Sequence, residues 1–148
     1  MHLPTVSVLL LGFGLCLHAG EVRPKLKPSL SNTWVWENGE LAPKAGGARK
    51  TWLFDGETLR PKLSHSPRDQ WTWDGETLTK RFGKEDPIVW DGEELKVKGA
   101  DLEKTYILKD GEWYPRAGNR SENTWIADED VPMPILAVVL FFPEEPAE

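Results

Sequence analysis

Apolar and polar residues alternate in short runs from Thr33 onward, and each run breaks at an Asn-Gly or Asp-Gly step before alternation resumes. The copies read TWVWENGEL from Thr33, TWLFDGETL from Thr51, WTWDGETL from Trp71, IVWDGEEL from Ile88 and TYILKDGEW from Thr105, with a worn sixth, TWIADEDV, from Thr124. Strand, corner, strand is the signature of a β-hairpin. The corners are Asn38-Gly39, Asp55-Gly56, Asp74-Gly75, Asp91-Gly92 and Asp110-Gly111, with the glycines 17, 19, 17 and 19 residues apart. A unit of about 18 residues holds two strands and no helix.

Taking those dipeptides as two-residue corners predicts the pairing. Trp36 faces Leu41 and Trp34 faces Pro43; Phe54 faces Glu57 and Trp52 faces Leu59. Trp73 faces Glu76 and Trp71 faces Leu78; Trp90 faces Glu93 and Ile88 faces Leu95; Leu108 faces Trp113 and Tyr106 faces Pro115. Paired residues share a face of the sheet. One face therefore gathers Trp, Phe, Tyr, Ile and Leu, and the other carries Val35, Leu53, Thr72, Val89, Ile107 and Ile126.

Isolated hairpins are marginal in water, so these must pack on one another. The expected fold is all-β: about six tandem antiparallel hairpins in a meander or barrel, spanning residues 32–142. The 36-residue double repeat keeps a β-trefoil open, and a propeller-like or solenoidal closure is the third alternative. The apolar run Ile135–Phe142 (ILAVVLFF) is expected to be a buried strand that completes the sheet; an exposed docking segment is the alternative.

Residues 1–20 carry a secretory-signal pattern: the apolar run Val6–Leu17 followed by Ala19 and Gly20, without Lys or Arg near the start. A retained N-terminal anchor is the alternative. Cys16, the only cysteine, lies inside that run, where Phe13-Gly14-Leu15 suits lipidation poorly. Cleavage after Ala19 or Gly20 leaves no cysteine, so the expected secreted or periplasmic domain leans on its tryptophan core and is not transmembrane. Glu21–Ser31 is expected to be a Pro- and Lys-rich linker or extended leader, and residues 143–148 an acidic tail. Asn119-Arg120-Ser121 is a glycosylation triplet.

A net charge of −6 argues against nucleic acid as a partner. Carboxylates mark the predicted tips, where they serve turns and solubility or, gathered on one rim, Ca²⁺. Lys and Arg collect at the other ends, as a solvated rim or as a seat for an anionic polymer. His65 sits between Ser64 and Ser66, but adjacency in sequence does not make a nucleophile–base pair. After the expected cleavage one histidine and no cysteine remain, which cannot build a common zinc site. No catalytic residue, cofactor or metal is expected, and the chain is not expected to be an enzyme.

WTWDGETL resembles the Trp-x-Trp-Asp-Gly hairpin of bacterial kelch-like repeats, over about nine residues per copy, without their Gly-Gly signature. DGEWYP (Asp110–Pro115) is similar to the Asp-Gly-x-Trp-Tyr core of cell-wall-binding repeats. Both resemblances imply a hairpin scaffold that displays a binding surface. The second implies Trp113 and Tyr114 as ligand-binding residues, and these are the aromatics expected to be exposed. The functional expectation is a non-enzymatic module that binds a glycan, a cell-surface polymer or a protein partner. Alternatives are an assembly component of an extracellular or envelope complex, and a small carboxylate-dependent hydrolase.

Overall fold

The computed structural model describes residues 19–118 and 120–142. The expected signal, Cys16, Asn119 and the acidic tail fall wholly or largely outside them. Twelve antiparallel strands close into a barrel in sequence order, each paired with its chain neighbours. Five hairpins are β2(Trp34–Glu37)–β3(Glu40–Pro43), β4(Trp52–Phe54)–β5(Thr58–Pro61), β6(Trp71–Trp73)–β7(Thr77–Lys80), β8(Ile88–Trp90)–β9(Glu94–Val97) and β10(Thr105–Lys109)–β11(Glu112–Pro115). The sixth joins the two ends of the described chain: β12(Trp125–Ala127) pairs with β1(Gly20–Pro24), with Val22 opposite Ala127 and Pro24 opposite Trp125. The start of the stretch expected to be a linker is therefore the return strand that the worn sixth copy lacks.

One hydrogen bond recurs in all six hairpins. The N–H of the basic residue after each return strand (Lys25, Lys44, Lys62, Arg81, Lys98, Arg116) donates to the carbonyl at the start of the outgoing strand or just before it (Thr124, Thr33, Thr51, Gln70, Pro87, Thr105), each at 2.8 Å. The split hairpin is thus built like the continuous ones. Gly20 fits it because Val131 packs on its Cα; a Cβ there would come within 2.5 Å of Val131 Cγ2.

The first and fifth hairpins have the predicted register, with positive φ at both corner residues of Asn38-Gly39 and Asp110-Gly111, as a type I′ turn requires. The middle three differ from expectation by two residues: Phe54 faces Leu59, Trp73 faces Leu78 and Trp90 faces Leu95. Their corners are Gly56-Glu57, Gly75-Glu76 and Gly92-Glu93, with positive φ on the glycine alone. The aspartate before each glycine closes the turn itself. Asp55 Oδ1 accepts from the N–H groups of Glu57 and Thr58, and Asp74 and Asp91 do the same for their turns, at 2.7–2.9 Å. These amide hydrogen bonds, from Thr58 and Glu57 to Asp55 and from Glu76 and Thr77 to Asp74, hold both carboxyls below the usual aspartate range. A two-residue shift keeps every side chain on its face, so the predicted inward set stands.

That set forms rings inside the barrel. Trp34, Trp52, Trp71, Ile88, Tyr106 and Trp125 lie at the end where hairpins are connected. Leu41, Leu59, Leu78, Leu95, Trp113 and Val22 form a fully buried ring on the return strands.

The tail run is not a strand. After the short α1 (Arg120–Asn123), Met133–Phe141 is an α-helix, α2, and Pro134 through Val139 are buried on every side. Two physical reasons overturn the expectation. The ring is already closed by β1 and β12, which leaves no edge for a thirteenth strand. Side chains alone fill a barrel of about eight strands, and a wider one needs a further occupant. A helix satisfies its own backbone, and one apolar all round belongs in a core. Val131, just before it, touches Gly20 near the hairpin tips, and Phe142, just after it, touches Trp52 and Trp71 near the connections. The helix, about 13 Å long, therefore runs through the barrel from the tip end to the connection end.

Candidate functional site

Strict up-and-down order places every hairpin tip at one end of the barrel and every connection at the other. The tip segments carry ten Asp and Glu with no Lys or Arg, whereas the six connections carry thirteen Lys and Arg against six Asp and Glu. The two ends have opposite charge. Ion pairs link the return strands of adjacent hairpins across the strand between them: Lys25 to Glu112 (2.8 Å), Lys44 to Glu21 (3.2 Å), Lys62 to Glu40 (2.8 Å), and Arg116 to Glu94. Being half-exposed, each contributes little to stability.

The connection end holds a cleft of about 490 Å³ beside the end of α2. It lies where the repeat departs from its own pattern. In four hairpins the first inward position is aromatic and faces proline: Trp34–Pro43, Trp52–Pro61, Tyr106–Pro115 and Trp125–Pro24. The third hairpin puts Lys80 opposite Trp71, and the fourth puts Val97 opposite Ile88. Ile88 is smaller than the Trp or Tyr of the other copies, so space opens between Trp71 and Tyr106.

The walls are aromatic. The Phe142 ring lies 5.0 Å from Trp71, and Phe141 meets Tyr106 edge-on at 5.7 Å. Lys80 Nζ stands 5.2 Å from the Trp71 ring centre and 3.8 Å from a Glu85 oxygen. Glu85, Asp86, Glu103 and Lys104 form the exposed lip. Gly83 lets that lip fold, because its φ of 141° lies where residues with a Cβ are strained. Burial pushes the Tyr106 phenol above the usual tyrosine range.

Trp71 is 2 % exposed, and among the described residues its Nε1 is the buried side-chain polar atom without a hydrogen-bond partner. Leaving a buried donor unmet costs about 1–3 kcal/mol. That donor is enclosed in the core; what the cleft itself offers is carboxylate acceptors and flat apolar faces.

The residues implied by the cell-wall-binding resemblance do not come together. Trp113 takes the return-strand position that Leu41, Leu59, Leu78 and Leu95 fill, and is 2 % exposed. The expectation that it is exposed fails because the fifth hairpin exchanges its leucine and tryptophan, with Leu108 opposite Trp113. Tyr114 points to the outer wall, half-buried, with the Arg120 guanidinium 5.4 Å from its ring centre. Ser64 is buried and donates to Asp69, while His65 between the serines is exposed. Among the described residues no group of three or more His, Cys, Asp or Glu could hold a metal ion, and no helix is long and apolar enough to cross a membrane. Of the predicted turn residues, Asp55, Asp74 and Asp91 hold their own turns through their carboxylates.

The signal that sequence reasoning missed was the exception to the repeat: Gln70 and Pro87 where other copies have Thr, Ile88 where they have Trp or Tyr, and Lys80 and Val97 where they have Pro. Compared with protein-family models, curated proteins and solved structures, the chain has no match.

Proposed function

We propose that the protein is a non-enzymatic, extracytoplasmic binding module that takes a sugar unit of a surface glycan in the cleft at Trp71. The observation that carries this reading is the aromatic-walled cleft itself, opened where Ile88 replaces the aromatic of the other copies and rimmed by Glu85, Asp86 and Glu103. A purely apolar ligand would offer the lip carboxylates no donor. A sugar supplies hydroxyl donors for Glu85, Asp86 and Glu103 and an apolar ring face for Tyr106 and Phe142.

Calorimetric titration with soluble oligosaccharides from cell-wall and neutral glucans tests the proposal. Trp71→Phe trims the aromatic wall of the cleft, and is expected to weaken binding about tenfold. Ile88→Trp restores the pattern of the other copies and fills the cleft; it is expected to abolish binding while the protein stays folded. Binding that survives Ile88→Trp would contradict the site. The opposed charges of the two ends favour a second reading, end-to-end assembly of copies. It predicts self-association at low salt that disperses at high salt, by sedimentation velocity on the same samples, with no response to any glycan.

A further inference from the structure

The exposed large apolar side chains among the described residues are Leu26, Leu30, Leu63, Phe82 and Leu102, each at least half exposed. All five lie in connections and none at a hairpin tip. Basic residues accompany most of them: Lys25 and Lys27 flank Leu26, Lys62 precedes Leu63, Arg81 precedes Phe82, and Lys104 lies two residues beyond Leu102. Solvation alone does not explain this distribution, since the tips have no apolar counterpart. Lysine and arginine beside apolar side chains, gathered on one end of a barrel, match an anionic lipid surface: the charges meet headgroups and the apolar groups enter the acyl boundary. The acidic tips at the opposite end are repelled by the same surface, which fixes the orientation. The positive surplus is greatest over connections 25–33 and 44–51, which hold five Lys and Arg and no Asp or Glu; Glu85, Asp86 and Glu103 balance it near the cleft.

We infer that the connection end seats on an anionic membrane surface, with Leu26, Leu63, Phe82 and Leu102 as its insertion points. The inference rests on different residues from the sugar cleft, on the same end of the barrel, where Phe82 and Leu102 lie in the connections that form the cleft lip. A soluble polyanion would use the lysines and arginines but has no use for the apolar side chains.

The test is co-sedimentation of the purified protein with phosphatidylglycerol–phosphatidylcholine vesicles and with pure phosphatidylcholine vesicles. Binding to the anionic vesicles alone, weakened by salt, is expected. Phe82→Ser with Leu102→Ser alters only exposed side chains, and removing two buried insertion points is expected to lower partitioning by about tenfold or more. Arg49→Glu with Lys50→Glu is expected to do likewise. Glu57→Lys with Glu76→Lys, at the far end, is expected to change it little. No binding to anionic vesicles overturns the inference. Binding that needs Arg49 and Lys50 but ignores Phe82 and Leu102 also overturns it, and marks a polyanion site instead.

Discussion

Val138→Asp is expected to abolish the native fold. Val138 is fully buried in α2, with the barrel around it. A carboxylate there would lose its hydration with no cation to meet it, at a cost of several kcal/mol. Domains of this kind are stable by about 5–15 kcal/mol in total. Moreover, the helix is the common packing partner of the inward rings, so its displacement would leave them facing a void. Thermal unfolding followed by near-ultraviolet dichroism should lose its cooperative transition in the variant, because the tryptophans lose their fixed surroundings. Leu136→Met, which nearly conserves volume at a neighbouring buried position, should unfold cooperatively and cost less than about 1.5 kcal/mol. A Val138→Asp protein with a near-native transition would show that the helix does not fill the barrel.

Removal of residues 1–24 has the second largest expected effect. Strand β1 closes the ring by pairing with both β12 and β2, and it places fully buried Val22 in the return-strand ring. Without it, β2 and β12 become open edges with unpaired backbone groups, the usual template for association between chains. The shortened protein is expected to run as soluble oligomers or aggregate on size exclusion. A synthetic peptide covering Gly20–Lys25 should return part of it to monomer by refilling the gap. A shortened protein that stays monomeric with unchanged thermal stability would contradict closure by β1.

How far the fold was legible in the sequence depended on which local rule decided each element. The hairpins and their inward face were legible because a two-residue side-chain period and glycine corners are local facts. The register of the middle three was misplaced because an aspartate directly after the aromatic closes the turn with its own carboxylate and moves the corner forward by one residue. The spacing from Phe54 to Asp55, against the intervening Glu37 between Trp36 and Asn38, was the visible sign. The tail was misread because a short apolar run fits a buried strand and a buried helix equally well. The closure of the ring decided it, and that is a property of all twelve strands together. Pro134 in the first turn of α2 was a helix signal, but a weak one alone.

The candidate site was hidden for the opposite reason. The repeat draws attention to what recurs, whereas the cleft is made by what does not: Ile88, Val97 and Lys80 break the Trp–Pro pattern in two adjacent hairpins. Trp113 drew attention through its neighbour Tyr114, yet adjacent strand residues point to opposite sides, and here those sides are core and outer wall. The segregation of charge, by contrast, was legible once the strands were taken to run up and down.

The most direct test of the central claim, that the cleft at Trp71 is a sugar site, is a titration followed through the tryptophan indole N–H resonances. The protein has eight tryptophans. The Trp71 signal is identified by its absence in Trp71→Phe. During titration with the tightest-binding oligosaccharide, this resonance is expected to move saturably as the sugar packs against the cleft wall, while those of Trp34 and Trp113, which lie outside the cleft, hold still. Saturable shifts confined to other indoles, or a Trp71 resonance unmoved at saturating ligand, would contradict the account.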